Sequence, residues 1–208
     1  MTSIILFKTD DGKLYLIGDT QHTFKSSTYQ KTKIFPLIAD KILIAGAGSD
    51  KIINAYYNKL ISSSDLDDVL SRLTLNQITI SDLNNNNTLD SSEKITKDEI
   101  GGTDFIIIDI STKEYKVIEN FIEKKNLSNL EIIGSGKDFI GLCDEFLKKI
   151  NNEADEERIF EKIFKCYNTL GKHDATTGHP ALFPVEIFCI GKANIKKWKL
   201  NSKRNFNF

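Results

Sequence analysis

The 208-residue chain has no surplus charge of either sign: 28 Lys and Arg stand against 29 Asp and Glu, a formal net charge of −1. That balance gives no footprint for a nucleic-acid partner and no acidic disordered tail. No apolar run approaches the ~20 residues of a membrane-spanning helix. The start has neither the basic n-region nor the long apolar stretch of a secretory signal. The expectation is a cytoplasmic protein that makes no membrane contact. Cysteine is scarce: Cys143, Cys166 and Cys189 are scattered, odd in number and without metal-ligand spacing. Their apolar neighbours point to buried, reduced thiols and against a disulfide frame or a catalytic thiol. His22, His173 and His179 form no zinc-type pair, so no metal is expected, and no cofactor. There is no nucleotide fingerprint or P-loop, and Gly134-Ser135-Gly136 lacks the Gly-x-Ser-x-Gly spacing of a hydrolase elbow.

What the chain does have is strands, beginning almost at its amino group. An apolar run Ile4–Phe7, a turn at Asp10-Asp11-Gly12 and a second run Leu14–Ile17 read as a β-hairpin ending in Gly18-Asp19. Free termini fray unless they are tied into a sheet. Here the tie would fix Thr2. Once Met1 is removed, Thr2 carries a hydroxyl and an α-amine on one residue. The amine, with a reference pKa of about 7.7–8.0, can take the hydroxyl proton near neutrality, so the residue can serve as both nucleophile and base; the plain reading is that a threonine at position 2 is ordinary.

Beyond Asp19, Thr20–Lys33 is polar and reads as a loop feeding an edge strand. That strand is Lys31–Ile38, placed at an edge or ended by Pro36, which donates no ladder hydrogen bond. Lys41–Asp50 is a short apolar strand running into small residues, and Ser49 or Asp50 caps an amphipathic helix over Asp50–Ile61. A second helix starts at Ser64 with an acidic first turn. An Asn-rich insertion spans about 83–98. Gly102–Ile110 is the strongest strand, Glu114–Ile118 returns beside it, and Leu130–Gly136 is another. Helical spacing then predicts one helix over Gly136–Ile150 and a second carrying Ile159, Phe160, Ile163, Phe164 and Tyr167. Leu170–Pro180 reads as a polar turn. A last hairpin, Val185–Gly191 and Asn194–Leu200, precedes a basic tail, 201–208. Strand runs separated by helix pairs imply an α+β fold, with antiparallel sheets covered by helices rather than a βαβ sheet. Two antiparallel sheets between two helical layers fit that order, as one domain over 1–200.

Taken singly, the polar residues at strand ends have plain readings. Asp19 is a turn aspartate and Lys33 a solvated edge-strand lysine. Gly46 and Gly134 are bulge or cap glycines. Ser135 is an N-cap, with Asp138 completing a capping box, and Asp174 and Thr177 are turn chemistry. Together they resemble a family. Gly18-Asp-Thr-Gln-His-Thr23, Lys33-Ile-x-x-Leu37, Asp40-Lys41, Ala45-Gly46, Gly134-Ser-Gly136 and Asp174-Ala-Thr-Thr-Gly178 occur in the order seen in the proteasome β-subunit family of N-terminal nucleophile (Ntn) hydrolases. The first sixty residues look most similar to HslV, the peptidase of the bacterial proteasome-like complex. The resemblance covers most of the chain, the insertion and tail excepted.

The resemblance implies an Ntn-hydrolase four-layer αββα sandwich and a threonine-type endopeptidase. Thr2 would be the nucleophile and its amine the proton shuttle. Lys33 would favour the oxyanion form of the hydroxyl, Asp19 would position Lys33, and Gly46 would offer a backbone N–H to the tetrahedral oxyanion. Ser135, Asp174 and Thr177 would orient the amine, and Lys31, Phe35 and Ile44 would line the pocket beside the scissile bond. Protein or peptide substrates, a homo-oligomeric ring and an ATP-driven unfoldase partner are also implied. Only Met1 precedes Thr2, so maturation would fall to a methionine aminopeptidase. The departures are Thr177 where the family usually has serine, a hairpin one residue longer, and a tighter Ala47-Gly-Ser-Asp50. Two other readings remain open at this point: a non-catalytic ring subunit that keeps Met1, and an acyl-transfer enzyme (peptide ligase or amidase) on the same scaffold.

Overall fold

Continuous apolar runs such as Ile4–Phe7 and Phe105–Ile108 read as strands with both faces withdrawn from water, and in the computed structural model they are. The structure describes residues 3–24, 27–38, 41–73, 81, 84, 101–174, 177–180, 182–191 and 195–200. The chain divides into two units, Met1–Lys33 with Ser128–Phe208, and Ile34–Leu127.

In the first unit, β1 (Ser3–Lys8) and β2 (Leu14–Asp19) form the expected hairpin, with Gly12 at φ 79° in its turn. The sheet order is β10-β1-β2-β11-β12, where β10 is Leu130–Gly134, β11 is Val185–Ile190 and β12 is Ile195–Leu200. Every pairing is antiparallel. Every residue of β2 and of β11 is buried. One face of the sheet, carrying Ile5, Phe7, Tyr15, Ile17, Val185, Ile187 and Cys189, packs in one cluster with the helices that follow β10. Chief among these is α4 (Glu156–His173), which begins at Asp155, whose carboxylate accepts the Glu157 N–H. It lays Ile159, Phe160, Ile163, Cys166, Tyr167 and Leu170 on the sheet.

Three expectations change in this unit, and the first is the polar turn from Leu170, which starts only after α4 ends at His173. The predicted helix over Gly136–Ile150 is instead a 3₁₀ stretch, Ser135–Cys143, followed by the single turn α3, Asp144–Leu147. Gly136 and Gly141 weaken a regular helix there. Gly136 also has a steric reason to be glycine, since a Cβ would lie 1.9 Å from Ser3 Oγ. The polar segment after Asp19 is not a loop but a small hairpin, β3 (Gln21–Phe24) and β4 (Ser27–Gln30). Cys143, Cys166 and Cys189 are buried thiols, as expected.

The second unit is a sheet ordered β5-β6-β7-β8-β9, again antiparallel throughout. Its strands are β5 (Ile34–Leu37), β6 (Ile42–Ala47), β7 (Asp104–Asp109), β8 (Tyr115–Glu119) and β9 (Ile122–Glu123). Pro36 lies on the edge strand β5, as its missing N–H requires. Helices α1 (Asp50–Leu60) and α2 (Leu66–Leu73) pack Ile53, Tyr56, Leu60, Val69 and Leu73 against Ile44, Phe105 and Ile107. The Asn-rich insertion, apart from Asn84, and the 201–208 tail lie outside the described residues. Among the described residues no helix is long and apolar enough to cross a membrane.

Three buried tyrosines give the fold a pH signature. Burial pushes Tyr56 up to about 12 and also raises Tyr15 and Tyr167 well above the ordinary value. A raised folded-state value leaves stability intact below the ordinary tyrosine pKa of about 10. Stability is lost as pH climbs past it, because the unfolded chain then releases protons that the folded one keeps. Denaturant melts taken from about pH 8 to 11 should show that loss. Tyr167→Phe should make the loss shallower while lowering stability at neutral pH by about 1 kcal/mol, through the lost hydroxyl bond to Ser3 O and Ile17 O.

Candidate active site

The site is built at the open end of the β1–β2 hairpin. Antiparallel register sets Ile4 opposite Gly18, so the backbone of Ser3 lies beside the Asp19 side chain. Asp19 is fully buried, and each of its carboxylate oxygens is engaged. Oδ2 accepts the Ser3 N–H at 3.0 Å, and Oδ1 accepts Gln21 N–H at 2.9 Å and Lys33 Nζ at 2.9 Å. Lys33 is 2% exposed. It is therefore no solvated strand lysine: it stands just ahead of β5 and forms a buried ion pair with Asp19. A buried pair needs hydrogen bonds to its remaining lone pairs, and the two backbone N–H groups supply them.

A second carboxylate collects hydroxyls. Asp174, at the C-cap of α4, accepts Ser135 Oγ at 2.5 Å and Thr177 Oγ1 at 2.7 Å on the same oxygen, Oδ2. Ser3 Oγ lies 2.6 Å from Thr177 Oγ1. Thr177 gives its single proton to Asp174, so Ser3 is the donor to Thr177. Ser3 thereby joins the two systems, its N–H on Asp19 and its hydroxyl on Thr177. Tyr167 completes the frame, its one hydroxyl proton shared between Ser3 O at 2.9 Å and Ile17 O at 3.2 Å. Glycine makes the close approach possible: a Cβ at Gly178 would stand 3.1 Å from Asp19 Oδ1.

Asp19, Lys33, Ser135, Asp174 and Thr177 are thus brought together in the first unit. Thr2 lies outside the described residues. Lys31 is half-buried in the same unit, with its N–H on Thr20 O at 2.9 Å. Gly46, Phe35 and Ile44 belong to the second unit. There Ile44 is 2% exposed in the helix-facing cluster, and Phe35 packs on that cluster and against Tyr57. Gly46 has a packing reason of its own, since a Cβ would come within 2.9–3.1 Å of the Ile53 side chain. Sequence reasoning missed Ser3 and Tyr167. Ser3 had only its place beside Thr2 to mark it. Tyr167 had a better signal, a hydroxyl on the buried face of a helix, which needs a partner.

The fold and its sheets place the chain in the class of proteasome-like Ntn folds. Anbu from Hyphomicrobium sp. strain MC1 superposes with a TM-score of 0.61 at 12% identity, over 96% of this chain and 88% of that one. BPH from Thiobacillus denitrificans gives a TM-score of 0.64 at 13% identity, over 92% and 98%. BPH in complex with epoxomicin gives 0.63 at 12%, over 92% and 100%. At these identities the likeness is one of fold. No family model matches the chain, and no curated protein does. These findings correct the likeness to the HslV peptidase drawn from the first sixty residues. The motifs behind that likeness are short strand-end patterns, too short to assign the chain to one branch of a fold.

Proposed function

We propose that the chain is an N-terminal threonine peptidase on the proteasome-like scaffold, cleaving peptide bonds in protein or peptide substrates. The observation that carries this reading is Ser3. Its N–H is held by Asp19 and its hydroxyl by Thr177, while Asp19 also holds the Lys33 ammonium. Residue 2 directly precedes that anchored residue. The epoxomicin complex of BPH adds support, because epoxomicin inhibits threonine proteases.

In this reading Met1 is removed and the Thr2 amine takes the proton of its own hydroxyl. The oxygen attacks the substrate carbonyl, and the Lys33 ammonium favours the developing alkoxide. Collapse of the tetrahedral adduct expels the amine half of the substrate, which leaves with the shuttled proton. The remaining ester on Thr2 is hydrolysed by water. Ser135, Asp174 and Thr177 hold the amine end in place. The subunits assemble into a closed ring, and the exposed Ile61 and Leu142 are apolar groups that such contacts would cover.

Turnover of a peptide substrate tests the reading. Thr2→Ala should be inactive, and Thr2→Ser should retain measurable turnover because hydroxyl and amine both remain. Wild-type rates in Thr2→Ala would overturn it. Product analysis with added amine separates hydrolysis from ligation, and a clean monomer in native mass spectrometry would overturn the ring.

A further inference from the structure

Glu186 sits within β11, between Gly18 of β2 on one side and Lys199 of β12 on the other. It is 3% exposed, in a strand whose other residues are apolar. A carboxylate withdrawn from water needs partners. Its Oε1 faces Lys197 Nζ at 3.5 Å and Lys199 Nζ at 3.6 Å, and its Oε2 accepts the Thr32 hydroxyl at 2.5 Å. The two lysines are more than a third exposed, so water screens their contribution. The other carboxylate oxygen goes to Thr32. That residue immediately precedes Lys33.

The sheet explains the reach. Neighbouring residues of β2 point to opposite faces, so Glu186, paired with Gly18, lies on the face opposite Asp19. Gly18 puts no side chain on that face beside the carboxylate. Two carboxylates therefore hold two consecutive residues, Asp19 the Lys33 ammonium and Glu186 the Thr32 hydroxyl. The Lys31 N–H, on Thr20 O at 2.9 Å, fixes the residue before them. A lysine head hangs on a flexible four-carbon stem, so its position depends on how firmly its own backbone is held.

We propose that Glu186 is a positioning residue that fixes the Thr32–Lys33 backbone and so keeps the Lys33 ammonium on Asp19. The kinetic part rests on the peptidase reading; the positioning itself does not. Misplacing a catalytic group by about an ångström can cost up to ~10²-fold. Glu186→Ala and Thr32→Val should each lower kcat about tenfold with KM held within about twofold, and the double variant should be no worse than either. Glu186→Gln keeps an acceptor for Thr32 and should stay within about threefold of wild type. Lys197→Met with Lys199→Met should do the same.

The second readout is the Lys33 ammonium signal in NMR spectra of the intact chain. It should broaden or vanish in Glu186→Ala and Thr32→Val, and persist in Glu186→Gln and in the double lysine variant. An unchanged signal and kcat in a folded Thr32→Val would overturn the proposal. So would equal losses in the double lysine variant, which would mark Glu186 as charge balance on the sheet. If Thr2-dependent turnover is absent while the NMR pattern holds, the peptidase reading falls and the positioning role stands.

Discussion

Lys33→Ala is expected to abolish turnover, with kcat lowered by about 10³-fold, the upper range for losing one electrostatic stabiliser in a dry site. Removing the ammonium leaves the Asp19 carboxylate buried with the backbone N–H groups of Ser3 and Gln21. Those donors soften the loss, so the fold should be destabilised by less than the ~3–5 kcal/mol typical of breaking a buried pair. Lys33→Arg should fail too. A planar guanidinium does not fit where a compact ammonium is 2% exposed. Steady-state kinetics beside a thermal melt separates the two effects, and wild-type turnover in Lys33→Ala would remove Lys33 from the mechanism.

Asp19→Asn is expected to damage both activity and stability. The carboxylate accepts three bonds through two oxygens. An amide offers one oxygen, and its NH₂ must then face a donor. The Lys33 ammonium would be left buried without its counter-charge, at a cost of about 3–5 kcal/mol. For a chain of this size that corresponds to a fall in Tm of roughly 10 °C. Ser3 would lose its backbone anchor, so turnover should vanish even below the lowered Tm. A calorimetric scan showing no fall would mean that Asp19 is not the hub its contacts describe.

Much of this fold is legible in the sequence. The β1–β2 hairpin, the edge position of β5 and the antiparallel order follow from apolar runs, one proline and the spacing of helix pairs. Asp19 and Lys33 stood out as a candidate pair, but their plain readings as a turn aspartate and a solvated lysine could not be overturned by spacing alone. Burial decides it, and burial depends on distant chain segments. The 3₁₀ stretch after β10 was hidden because its apolar spacing imitates a helix. Its glycines show their purpose only when Ser3 Oγ lies against Gly136. The β8–β9 turn was hidden for another reason. Asn120 at φ 50° is in a region that asparagine tolerates, but Phe121 at φ 65° adopts a conformation usually reserved for glycine. Packing of the Phe121 ring on Tyr56 and Phe105 offsets that strain. No local pattern records such a trade.

The central claim is that Thr2 becomes the first residue and carries the nucleophile. Intact-mass spectrometry of protein from a cell with methionine aminopeptidase, before and after treatment with epoxomicin, tests it most directly. The expected result is a mature chain beginning at Thr2 that gains the mass of one inhibitor on its N-terminal peptide, with no gain in Thr2→Ala. Met1 fully retained in active protein, or an adduct that persists in Thr2→Ala, would contradict it.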